Sequence, residues 1–145
     1  TNHTGDGVIT AWTRVPATDG GGNIGSAMSV SSGIWTFPTT GIWLVIGNFT
    51  INATQTDNDN TAVLWEFTDD GDFTTQFTNR AYAQSYVEDE GFTMTRNTLF
   101  IFDCQDTSTH VLRIKASSLS GSNYFPGVSS SLLYNLVSFI RLGDT

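Results

Sequence analysis

The side chains in this sequence best equipped for chemistry are carboxylates, and most of them sit in turns. Asp57 and Asp59, then Asp69, Asp70 and Asp72, then Glu88, Asp89 and Glu90 fall in short polar runs. Clusters of hard oxygen donors suit calcium, which takes roughly six to eight oxygen ligands. Asp57, Asp59, Asp69, Asp70 and Asp72 are therefore the candidate metal ligands, and calcium is the one candidate cofactor. None of these runs matches the spacing of the helix-flanked calcium loop, which needs a glycine at its sixth position. Solvated turn acids give the same pattern. A calcium shared near a symmetry axis would need only one ligand set per chain.

Other chemistry is thin. Glycoside hydrolysis needs two carboxyl groups about a sugar's width apart, and nothing in the spacing of Glu66, Glu88 and Glu90 sets that distance. His3 lies in a polar, Gly-containing stretch, and His110 sits at an inward strand position among apolar residues, which reads as a packed rather than a catalytic histidine. There is no Gly-x-Ser-x-Gly elbow, and the single cysteine, Cys104, stands beside Phe102 without the context of a nucleophile. No enzymatic activity is expected. The loop from Ser117 to Ser131 carries Asn123, Tyr124 and Phe125 ahead of Pro126. Two aromatics stiffened by proline suit sugar stacking or protein docking, so these three are the candidate ligand contacts. The competing reading has them cap one end of the fold.

The elements that must position these groups read as strands. No window shows a helical apolar period, whereas period-two alternation and turn punctuation recur throughout. The pattern predicts about ten short strands in two sheets, including Ala11–Val15, Thr61–Thr68, Phe92–Gln105 and Leu132–Leu142. Residues 1–10 are polar and predicted to be an arm or linker, with 11–145 a single domain. A chain of 145 residues buries roughly 68–70% of its unfolded surface and needs no disulfide to do so. The abrupt start at Thr1 suggests a trimmed longer parent.

The formal net charge of -8, with one lysine, excludes the phosphate contacts that nucleic-acid binding rests on. No apolar run approaches the ~18 residues of a membrane-spanning helix, so membrane insertion is not expected.

Three runs are apolar on both faces: 42–51, 99–102 and 132–142. If they lie side by side, one sheet carries a large outward apolar patch, and patches of that size mark interfaces. The candidate interface residues are Ile42, Trp43, Leu44, Ile46, Leu99, Ile101, Tyr134, Leu136 and Phe139. Which face of 42–51 meets a neighbour is not decided by the pattern.

Trp35, Phe37, Pro38, Gly41, Ile42, Trp43 and Val45, together with the closing segment from Ser129 to Tyr134, resemble the signature of C1q/TNF-like jelly-roll domains over residues 33–142. The resemblance implies a ten-stranded, two-sheet, all-β jelly roll that assembles as a homotrimer. The absence of a collagen-like repeat, and the ending Ser138–Thr145, make it look closer to phage and viral structural proteins than to animal collagen-tailed ones. The expectation is a structural and attachment module at a virion surface, such as a fibre knob or capsid decoration. Its partners would be itself, other virion proteins and a host-surface glycan or receptor. A secreted C1q-like recognition module and a monomeric carbohydrate-binding module are the alternatives.

Overall fold

Strict alternation along 41–49, the larger part of the strand Gly41–Asn52, sets the frame of the molecule. Trp43, Val45, Phe49 and Ile51 are buried, while Ile42, Leu44 and Ile46 on the opposite side are only half-buried. The computed structural model describes residues 2–16, 21–52, 58–74, 78–87, 93–119, 123–127 and 134–145. Among them are eleven strands and no helix: β1 (His3–Thr4), β2 (Gly7–Val8), β3 (Ser29–Ser31), β4 (Ile34–Thr36), β5 (Gly41–Asn52), β6 (Asn58–Thr68), β7 (Thr78–Val87), β8 (Thr93–Cys104), β9 (Val111–Ser117), β10 (Tyr124–Phe125) and β11 (Leu136–Gly143). No helix of the described residues is long and apolar enough to cross a membrane.

The strands form two antiparallel sheets, consistent with a β-sandwich. In one, β5 is central. It pairs along its whole length with β8, from Gly41 opposite Cys104 to Asn52 opposite Thr93. On its other side it pairs with β11, from Leu136 opposite Asn48 to Gly143 opposite Ile42, and then with β10 at Asn52. β1 lies outside β10. The second sheet runs β3-β4-β9-β6-β7, with β2 also paired to β9. The chain changes sheet between β1 and β2, between β9 and β10, and four times between β4 and β9: from β4 to β5, β5 to β6, β7 to β8 and β8 to β9.

Aromatic side chains from both sheets fill the space between them. Phe37 stacks on Phe102 with ring centroids 4.8 Å apart, and Trp65 meets Phe49, Phe100 and Phe139 edge-on. Burying each such ring fully contributes roughly 1.5–3 kcal/mol. Gly41 and Gly47 in β5 are sterically required. A Cβ on Gly41, whose φ is +138°, would lie 2.5 Å from the carbonyl oxygen of Gly143. One on Gly47 would meet the Phe49 ring and, at 2.6 Å, Thr98 Oγ1. The glycine after the Pro38 turn is thus the residue that lets β11 close against β5.

Several local expectations change. Ala11–Val15 forms no strand. The first residues do not hang free: His3–Thr4 joins one sheet, Gly7–Val8 the other, and Ile9 is buried with its N–H donated to the Ile114 carbonyl at 2.9 Å. Backbone pairing, to which composition is blind, holds this polar segment. His110 immediately precedes β9 rather than sitting within it.

Candidate functional site

The outward face of β8, β5 and β11 carries most of the exposed large aliphatic side chains among the described residues. Residues directly opposite in an antiparallel pair share a face, with Cβ atoms roughly 4.5–5.5 Å apart. The register therefore builds rows across three strands. Leu99, Ile46 and Ser138 make one row, and Ile101, Leu44 and Ile140 the next. Asp103, Ile42 and Gly143 bound the face at one end; Asn97, Asn48 and Leu136 bound it at the other. Leu99 is 66% and Ile101 58% exposed, and Leu136, Ile140 and Leu142 are exposed as well. A register shift between Arg141 and Gly143 inserts Leu142 as an extra residue, a β-bulge that adds one more exposed aliphatic side chain at the edge.

Of the residues expected at an interface, Ile42, Leu44, Ile46, Leu99, Ile101 and Leu136 lie on this face. Trp43 and Phe139 do not. Trp43 is 5% exposed and packs on Phe37, while Phe139 packs against Trp35, Phe37 and Trp65. Both belong to the protomer core, because the second sheet covers that side of β5 and β11. Tyr134 precedes β11 and is half-buried, its carbonyl accepting a hydrogen bond from Thr50 Oγ1 at 2.8 Å. Ile140 and Leu142 belong to the face without having been singled out. Alternation from Leu136 gives Ile140, but the bulge that exposes Leu142 has no sequence signal beyond Gly143.

The expected ligand contacts are differently placed. Asn123 and Phe125 are buried, and Tyr124 is half-buried with its hydroxyl accepting from Asn52 Nδ2 at 3.0 Å. Tyr124 and Phe125 form β10, the strand that continues the sheet beyond β11. The alternative reading, a cap on the fold, describes Asn123 and Phe125 better than a binding surface does. Residues 120–122 and 128–133 of this loop lie outside the described residues.

The acidic turns use their oxygens locally. Asp70 Oδ1 accepts from Thr68 Oγ1 at 2.5 Å and from the Asp72 amide at 2.8 Å; Asp72 Oδ1 accepts from the amide and hydroxyl of Thr74. Asp106 likewise accepts from the Ser108 hydroxyl and amide, which hold its carboxyl below the usual carboxylate range. Asp57, the side chain of Asp59, Glu88 and Glu90 lie outside the described residues. Among those described, no three His, Cys, Asp or Glu side chains gather as a metal site would need. Asp69 borders an open depression of about 370 Å³ that also touches Phe67, Ile101, Asp103 and His110.

Two buried groups complete the inventory. Glu66 is 2% exposed on β6 and pairs with its register partner Arg113 at 2.5 Å, with Lys115 at 3.9 Å. The Arg113 guanidinium lies 4.2 Å over the Phe73 ring. Cys104 is buried, and burial first, then Asp103 and Asp106, push its thiol up to about 11. His110 Nδ1 accepts from the Gln105 amide at 3.2 Å, and its ring packs edge-on against Phe67.

No protein-family model matches the chain, and no curated protein matches it.

Proposed function

We propose that this chain is a non-enzymatic assembly and attachment module: a jelly-roll head that associates with copies of itself, as a homotrimer, through the outward face of β8, β5 and β11. The observation that carries the reading is the set of aliphatic rows on that face. Exposing an uncharged, aliphatic sheet surface of this extent to water is unfavourable, and covering it lowers the free energy. The argument for a second copy as the cover is electrostatic. The chain has a net charge of -8, so like copies repel over most of their surface. The rows between Asp103 and Asn48 carry no charge, and contact there desolvates no ionised group. The four changes of sheet between β4 and β9 support the jelly-roll reading, and the resemblance of residues 33–142 supports the trimer.

In this reading the setting is a virus or phage particle, where a trimeric head presents several weak sites at once. Avidity then holds a host-surface glycan or protein that one site would not. Static light scattering tests the assembly directly. The expected mass is three times 15.8 kDa, and a 15.8 kDa species at all concentrations refutes it. A glycan array tests attachment, and an array without hits removes the glycan target.

A further inference from the structure

His3 occupies a place that suits only its neutral form. It pairs with Phe125 in the register of β1 and β10, and the two rings pack with centroids 6.4 Å apart. Its ring borders a cavity of about 50 Å³ shared with Ile9, Trp12, Phe125 and Asn135. His3 Nε2 is buried and has no hydrogen-bond partner among the described residues. Among the described residues, no charged group faces it from the elements packed around it. The segment 9–13 offers Ile9, Ala11, Trp12 and Thr13, and the segment 125–127 offers Phe125, Pro126 and Gly127. The Tyr124 phenol on β10 accepts from Asn52, and the Asp6 carboxylate is turned to the Leu119 amide at 2.7 Å. Burial accordingly lowers the imidazole from its ordinary 6.5, with a backbone hydrogen bond to Gly5 acting weakly the other way. An imidazolium here would be desolvated without a counter-charge.

The segment is also built to come away alone. β1 is two residues long and outermost in its sheet, and beyond β10 it is tied by the Gly127 amide donating to Asn2 Oδ1 at 3.0 Å. Gly5 and Gly7 follow at φ of +78° and +137°, with open space around both. From Asp6 onward, its bond to the Leu119 amide, the pairing of β2 and the buried Ile9 hold the chain in place. We propose that β1 is an acid-released latch: protonating His3 frees residues 2–5 from the sheet edge, while the sandwich stays folded and β10 is uncovered. The sign follows from linkage. The docked state is favoured fully above 6.5, where His3 is neutral docked or free, and is lost as pH falls below 6.5, where only the free histidine readily takes the proton.

Amide hydrogen exchange on the intact protein between pH 7.5 and 5 tests this. Protection factors at residues 3–4 and 124–125 are expected to fall by roughly tenfold per pH unit below 6.5 until the docked histidine itself titrates, with β5 unchanged and Trp12 fluorescence reporting the same transition. His3→Phe should abolish the dependence; His3→Gln, which cannot be charged, serves if the phenyl ring disrupts folding. A pH-independent β1, an equal slope in either variant, simultaneous loss of protection in β5, or an NMR titration placing His3 at 6.5 or above each overturns the proposal.

Discussion

The indole N–H of Trp65 on β6 donates to Thr98 Oγ1 on β8 at 2.8 Å, both side chains buried, so one hydrogen bond ties the two sheets across the core. It is possible because Gly47 leaves room beside Thr98. Thr98→Val keeps the shape and strands a buried donor, which costs about 1–3 kcal/mol. A lower urea midpoint with unchanged m-value is expected, and Thr98→Ser should recover most of it. An unshifted midpoint for Thr98→Val would mean that the bond contributes nothing net.

Neighbouring residues on β5 should fail in opposite ways. Trp43 faces the core and Leu44 the open sheet surface. Trp43→Asp places an unpaired charge in the core and is expected to abolish the folded far-UV signal. Leu44→Asp should leave that signal intact and lower the light-scattering mass to 15.8 kDa. If Leu44→Asp stays assembled, another surface holds the copies together.

Arg113 should matter more than an ordinary surface cation. Glu66 is 2% exposed, and Lys115 at 3.9 Å is a poor substitute partner. Arg113→Ala should cost about 3 kcal/mol, since breaking a buried pair by removing one partner leaves an uncompensated charge. Glu66→Leu combined with Arg113→Met should fall much less, because both ionised groups are gone. Chemical denaturation of the three proteins compares these directly.

Cys104 should be unreactive while the protein is folded. Its thiol titrates at about 11 rather than 9.0, so little thiolate exists at neutral pH, and the side chain is buried as well. A disulfide-exchange reagent at pH 8 should label it only in denaturant. Because the folded value is raised, its contribution to stability is full below 9.0 and is lost as pH rises from there through about 11. Stability relative to Cys104→Ala should therefore decline over that window. Fast labelling of the native protein would contradict the burial.

The all-β architecture was legible because alternation and turn residues are local signals. The two-sided strands were legible too: Ile42, Leu44 and Ile46 alternate with Trp43 and Val45, and Leu99 and Ile101 with Phe100 and Phe102. Which set faces the core was not, since a period-two pattern with apolar residues on both sides is symmetric. Only the position of the second sheet decides it. Residues of both faces were therefore candidates for the interface, and Trp43 and Phe139 are found on the core side. Asn123 and Phe125 were misplaced for another reason. Their burial depends on β10 meeting β5 at Asn52 and β1 at His3, pairings too distant along the chain to leave a trace in composition.

The central position of β5 bears on how its outward face behaves. Hydrogen-bonded to β8 on one side and to β11 and β10 on the other, it has little backbone freedom left to lose, and the half-buried Ile42, Leu44 and Ile46 are already restrained by their neighbours. Docking onto such a surface orders little new backbone, so the conformational part of the cost of association is small. In the proposed assembly, a face this stiff acts as a preformed template.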